Sequence, residues 1–130
     1  MGEPGRIAEM LAALEDDHER LGELGGRILR AIGANDVTMA SSALVELQRA
    51  QATHFRFEEG LMEEAGFPGR DAHAESHDRL VAALDAINGA LGAGPVSSLS
   101  QDLGDFIEAS LKHISDLDEN FRGFLNEMLG

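Results

Sequence analysis

The stretch His54–His77 reads HFRFEEGLMEEAGFPGRDAHAESH. It begins with His54 and Glu58, four residues apart, and ends with His73 and His77, again four apart. Between them Gly66-Phe67-Pro68-Gly69 is a turn signal. On a helix, residues i and i+4 stand one above the other on the same face. The stretch therefore predicts two helices joined by a tight loop, each aiming a pair of metal-capable side chains in one direction. If the helices run antiparallel, the pairs face each other across a bundle core, as in carboxylate-and-histidine di-metal sites.

Working outward, Gly5 to about Ala34 predicts a first helix, with Ile7, Met10, Leu11, Leu14, Leu21, Leu24, Ile28 and Ile32 on one face. His18 falls on that face, where a lone histidine is ordinarily a core residue with its own hydrogen bond. Gly25 and Gly26 cost about 1 kcal/mol each relative to alanine and predict a close helix contact or a kink. After Asn35-Asp36, a second helix runs from about Thr38 to Ala65, its inward stripe including Leu44, Leu47, Gln51, His54, Glu58, Leu61 and Met62. A glutamate on an apolar face is expensive unless paired or metal-bound. Its neighbours Glu59, Glu63 and Glu64 read as ordinary solvated charges.

Beyond the turn, Asp71 is the expected N-cap of a third helix that reaches about Leu91 and stops at Gly92-Ala93-Gly94-Pro95. Ser98 with Gln101 has the capping-box pattern and opens a fourth helix to about Met128. Its inward stripe is Leu99, Leu103, Phe106, Ile107, Ser110, His113, Leu117, Phe121, Phe124 and Met128. Four helices with three short connections predict an all-α, up-down-up-down antiparallel four-helix bundle. At 130 residues the chain is expected to be one domain.

Composition narrows the function. Acidic side chains number 24 against 10 basic ones, a formal charge of −14, which argues against nucleic acid and against anionic membrane surfaces as partners. The acidity itself reads as a solvated, self-repelling surface. No apolar run is long enough to span a membrane. MGEPGRIAEM lacks the apolar core of a secretory signal, and Glu3 and Arg6 spoil a myristoylation pattern at Gly2. With no cysteine, disulfides and thiolate metal sites are excluded, and a cytoplasmic location is expected.

All five histidines, His18, His54, His73, His77 and His113, fall on inward stripes. Buried separately, each would need its own hydrogen-bond solution, whereas a shared metal centre satisfies them together. Without metal, buried acids would stand unpaired in an apolar core. Imidazole with carboxylate and no thiolate suits iron, manganese, copper or zinc. Five imidazoles exceed what one octahedral ion accommodates beside carboxylates and an exogenous ligand, so two carboxylate-bridged ions are expected. Glu58 is the first bridge, and the second comes from Asp116, Asp118 or Glu119 near His113.

Over nearly its whole length the chain resembles the hemerythrins, especially the bacterial single-domain members. The family pattern is a histidine early in helix one, HxxxE on helix two, HxxxH on helix three and HxxxxD on helix four. Here these are His18, then His54 and Glu58, then His73 and His77, then His113 and Asp118. Shorter words match too: HF..EE.LM from His54 to Met62, Phe67-Pro68 in the turn, and His113-Ile114. The resemblance implies that His73, His77 and His113 hold one iron and His18 and His54 the second. Glu58 and Asp118 would bridge the two Fe ions together with an oxo or hydroxo group. The second iron would keep an open position, where O2 or a related small diatomic or peroxide binds. Reversible O2 binding, for storage, delivery or sensing, is the leading expectation. Alternatives are a di-iron oxidoreductase acting on peroxide, O2 or nitric oxide, and an iron-handling or metal-sensing module. Apart from the ligands the site has no evident acid or base, and no tyrosine or cysteine to relay electrons, which favours binding over turnover.

Two local expectations follow. On an ideal helix, His113 and Asp118 would stand about 140° apart, so a π-type bulge or an off-face aspartate is predicted. Bacterial relatives often carry Trp-Leu where this chain has Ala109-Ser110, positions expected near the open iron site. There the smaller residues admit water or peroxide, unless Phe106 or Phe121 fills the space. Gly26 stands where an asparagine is common in relatives, and nothing in the sequence explains it. Because ligation needs neutral imidazoles, metal retention and thermal stability are expected to fall together in acid.

Overall fold

The helices are set by how the chain breaks between them. In the computed structural model, which describes residues 4–91 and 93–129, α1 (Pro4–Gly33) and α2 (Val37–Ala65) are separated by Ala34, Asn35 and Asp36. Asn35 takes a left-handed conformation at φ 56°, which asparagine tolerates better than most residues. The Asp36 carboxylate then accepts the Met39 N–H at 3.0 Å and caps α2. Met1–Glu3, on which the myristoylation pattern turns, and Gly92 of the expected helix stop lie outside the described residues.

At the other end of α2, Gly66 sits at φ 68°, and its N–H donates to the Glu63 carbonyl while that of Phe67 donates to Met62. This paired arrangement is a Schellman motif. It turns Phe67 back onto Phe121 and Phe124, with ring centroids 5.1 and 5.2 Å away. The chain re-enters a helix at once as α3 (Arg70–Ala90).

The expected cap of α3 is corrected here. Gly69 occupies the cap position, no side chain caps it, and Asp71 lies inside the first turn with its side chain 97% exposed. An acid there still faces the positive end of the helix dipole. The expected capping box does not form either. Val96–Leu99 make a 3-10 turn and α4 (Ser100–His113) starts after it, so Ser98 and Gln101 miss the required positions. Ser98 Oγ instead donates to the Pro95 carbonyl, and the Gln101 amide to Asp105.

Past His113 the helix widens. Ile114–Asp118 form a π turn, in which the Glu119 N–H reaches back five residues to the Ile114 carbonyl. α5 (Glu119–Leu129) continues without a break. Thus α4, the π turn and α5 form one helical run, the fourth arm of an antiparallel four-helix bundle. The arms pack in order, α1 on α2, α2 on α3 and α3 on α4, and α1 closes the ring mainly against α5. The described residues contain no strand, and no helix among them is long and apolar enough to cross a membrane.

Two apolar clusters fill the two ends of the bundle. One gathers Leu24, Ile28, Leu44, Leu84, Leu103 and their neighbours; the other gathers Ile7, Leu14, Leu61, Met62, Phe121 and Leu125. Past His113 the expected inward stripe of the fourth arm holds at Phe121, which is fully buried, and shifts around it. Leu125 is fully buried, whereas Leu117 and Phe124 are only half-buried. The residue added by the π turn advances the buried phase to Asp118, Phe121 and Leu125. Between the clusters lies a layer of buried polar side chains.

Candidate metal centre

Each arm delivers its share of this layer from the same height. α1 brings His18, α2 His54 and Glu58, α3 His73 and His77, and the fourth arm His113 and Asp118. His54, Glu58, His73, His77, His113 and Asp118 are buried, and His18 is half-buried. The π turn is what aims Asp118 inward; Asp116 and Glu119, the other carboxylates considered for a second bridge, are exposed.

The seven side chains form two overlapping groups. Glu58, His73, His77, His113 and Asp118 each offer a ligand atom within 4.8 Å of all the others, and so do His18, His54, Glu58 and Asp118. The two carboxylates are common to both. His73 Nε2 lies 2.9 Å from Glu58 Oε1 and 2.8 Å from Asp118 Oδ1, and His113 Nε2 is 3.1 Å from His73 Nε2. His77 Nε2 reaches Glu58 Oε1 at 3.0 Å, and His18 Nε2 lies 2.9 Å from Asp118 Oδ2.

Close approach is not satisfaction here. Glu58 Oε2, Asp118 Oδ1, His18 Nε2 and His73 Nδ1 are buried without a hydrogen-bond partner. Orphaned polar atoms at this depth cost about 1–3 kcal/mol each. Lone pairs from carboxylates and imidazoles converging on shared points are the donor set of a cation site, and the residues fit one.

The electrostatics agree. Burial disfavours charged His73, but the adjacent Asp118 and Glu58 outweigh it and raise the imidazole to about 9. His18 is also raised, because Asp118 beside it overcomes burial. Burial pushes the Glu58 carboxyl up, yet His73 and His77 hold it below the ordinary carboxylate range. Asp118 is likewise held low, with His113, His18 and His73 outweighing its burial. In the metal-free protein, positive imidazolium stands in for the cation.

A second set of residues holds the rings in place, and sequence reading missed it. Asp17 on α1 accepts from His54 Nδ1 at 2.9 Å, and Glu59 on α2 accepts from His77 Nδ1 at 2.7 Å. Ser76 Oγ on α3 meets His113 Nδ1 at 2.7 Å. Phe55 stacks on His77, with ring centroids 3.8 Å apart and planes 6° from parallel. Bonds of this kind fix which ring nitrogen faces the site. Glu59 is therefore not the solvated charge expected of it; its side chain is 29% exposed and committed to His77. Asp17, Glu59 and Ser76 each adjoin a site residue in sequence, the only signal available, but each serves a histidine on the next helix.

Beside His18 and His54 the bundle leaves a cavity of about 310 Å³ between α1 and α4. It reaches the surface at Leu29 and Leu111, which are 43% and 61% exposed. Gly22, Gly25 and Gly26 line it, so the close contact expected at Gly25 and Gly26 does not occur. A Cβ on Gly22 or Gly25 would meet nothing within 4 Å. Of the pair expected near the site, Ser110 lines the cavity and Ala109 faces solvent. Phe106 forms part of one wall without filling the space, and Phe121 belongs to the apolar cluster at the other end.

The family profile described as the hemerythrin HHE cation binding domain matches residues 9–125 of the chain. No curated protein and no solved structure matches it.

Proposed function

The chain belongs to the hemerythrin HHE cation-binding family, and from that premise we propose that it is a non-heme di-iron protein that binds O2 reversibly. The observation that carries this reading is the pair of overlapping donor groups with Glu58 and Asp118 in common. In this reading His73, His77 and His113 would hold one iron, His18 and His54 would hold the other, and Glu58 and Asp118 would be shared between them. The match over most of the chain supports taking residues 1–130 as one such domain.

The two groups are unequal, five side chains against four. The ion held by His18 and His54 would therefore have the fewer protein ligands, and those two histidines line the edge where the cavity begins. A metal pair held by these residues would supply redox electrons to an incoming gas molecule. The protein's own contribution is positional. Asp17 and Glu59 keep His54 and His77 with Nε2 inward, Ser76 does the same for His113, and Phe55 shields His77.

The test is optical. With no Trp and no Tyr, the chain leaves the near-ultraviolet almost clear for metal-centred absorption. The reduced, iron-loaded protein should develop a band on mixing with O2 that disappears under vacuum, at two irons per chain. A single iron per chain would overturn the di-iron reading. Irreversible oxidation with turnover of added peroxide would replace carriage with oxidoreductase activity.

A further inference from the structure

The cavity is larger than a gas molecule requires. An apolar cavity of about 150 Å³ holds benzene, and this one has about 310 Å³. Its walls are mostly hydrocarbon, with Leu21, Leu47, Leu80, Phe106 and Ile107 among them, and among the described residues no lysine or arginine lines it. Away from the histidines at its inner end, a ligand bearing a carboxylate or phosphate would find no cationic side chain, and the chain's net charge of −14 would oppose it. Polar character is confined to the inner end. There Gln51, 4% exposed, and Ser110 line the space beside His54. None of the side-chain hydrogen bonds among the described residues engages the Gln51 amide.

α1 gives up helix stability to keep this space open. Gly22 and Gly25 forgo the propensity that alanine would bring, although nothing occupies the positions of their missing Cβ atoms. Gly25 is buried, so its missing side chain would point into the cavity rather than into solvent. α1 also touches α4 sparingly, which leaves the two helices parted along the cavity's length.

We propose that the cavity between α1 and α4 binds a neutral, largely hydrocarbon molecule of about ten heavy atoms, such as an aromatic or aliphatic alcohol. Its apolar body lies along Gly22, Gly25 and Phe106, and its one polar group meets the Gln51 amide. The occupant stands between the mouth at Leu29 and Leu111 and the His18–His54 edge, so it governs what reaches that edge. That last consequence rests on the di-iron reading; the binding itself needs no metal.

The probe is 1-naphthol, measured by equilibrium dialysis against the iron-loaded protein and against the same protein after chelation. One saturable site per chain is expected in both forms. Gly25→Leu fills the cavity from α1 and should weaken binding at least tenfold, with the helical circular dichroism and melting temperature retained. Ser110→Leu approaches from the opposite wall and should act in the same direction. Three results would each overturn the proposal: no saturable binding, affinity unchanged in both variants, or binding only after chelation, which would place naphthol among the metal-ligand side chains. Iron counted on the same samples tests the metal centre separately, so either reading can fail while the other stands.

Discussion

Stripped of metal, the protein should become less stable as pH rises from about 6 to about 10. The reason lies at His73, whose imidazole is raised to about 9 by Asp118 and Glu58 despite its burial. A group whose pKa is higher folded than unfolded stabilises the fold fully below its unfolded value, near 6.5, and loses that contribution as pH climbs through its folded value. The gap from 6.5 to about 9, at about 1.4 kcal/mol per pH unit, amounts to about 3 kcal/mol. His73 shares its carboxylates with His18, His77 and His113, so this is the scale for the group rather than for one bond. Glu58 and Asp118, held low, add stability that is lost only in acid below the ordinary carboxylate range. Stability of the metal-free form should thus be greatest between about pH 4.5 and 6.5. The composition makes the alkaline limb unusually clean to read. There is no tyrosine and no cysteine, and Lys112 is the chain's one lysine. Urea unfolding of the chelated protein, followed by circular dichroism at about pH 6 and about pH 10, measures the difference. Asp118→Asn should flatten the slope by removing the main anion beside His73. Equal stability at the two pH values, or an unchanged slope in Asp118→Asn, would refute the electrostatic account.

With metal present the pH dependence should reverse, because ligation requires the histidines to be neutral. Affinity measured by chelator competition should rise from about pH 6 to about pH 9, with protons released on loading, and the melting temperature of the loaded protein should fall in acid along with its metal content. Glu59→Gln should weaken metal binding about 10–100-fold in the same assay, since it disturbs the bond that orients His77, and an unchanged affinity would make that contact incidental. Leu125→Ala should cost about 2–5 kcal/mol in urea unfolding and Leu117→Ala clearly less; the opposite order would mean that the π turn does not shift the register.

The bundle was legible because its signal is repetitive. Apolar steps of three and four located four helices, and histidines riding on those stripes located the layer that the structure brings together. The HxxxxD spacing went further, since a contact that a regular helix cannot make predicted the widened turn found at Ile114–Asp118. The same spacing does not reveal the shift further along the arm, where Leu125, off the apolar stripe, is fully buried and Phe124, on it, packs against the cluster only half-buried. Caps were misread at Asp71 and Ser98 because a capping residue depends on where the first turn starts, and that shifts by a residue or two without altering the apolar pattern. Asp17, Glu59 and Ser76 were invisible for a different reason. Their partners lie 37, 18 and 37 residues away, and no periodicity links residues across helices.

Those three contacts run in a fixed sense around the molecule. The first helix steers a ring on the second, the second one on the third, and the third one on the fourth, while Asp118 of the fourth comes back to His18 of the first. No fragment lacking the final helical run contains a complete set of donors. On a ribosome, therefore, the nascent chain would emerge unable to seize an ion firmly until the fourth arm, Ser100–Leu129, cleared the exit tunnel. Metallation would then follow closure of the bundle, and an ion acquired early, in the wrong place, would have little to hold it.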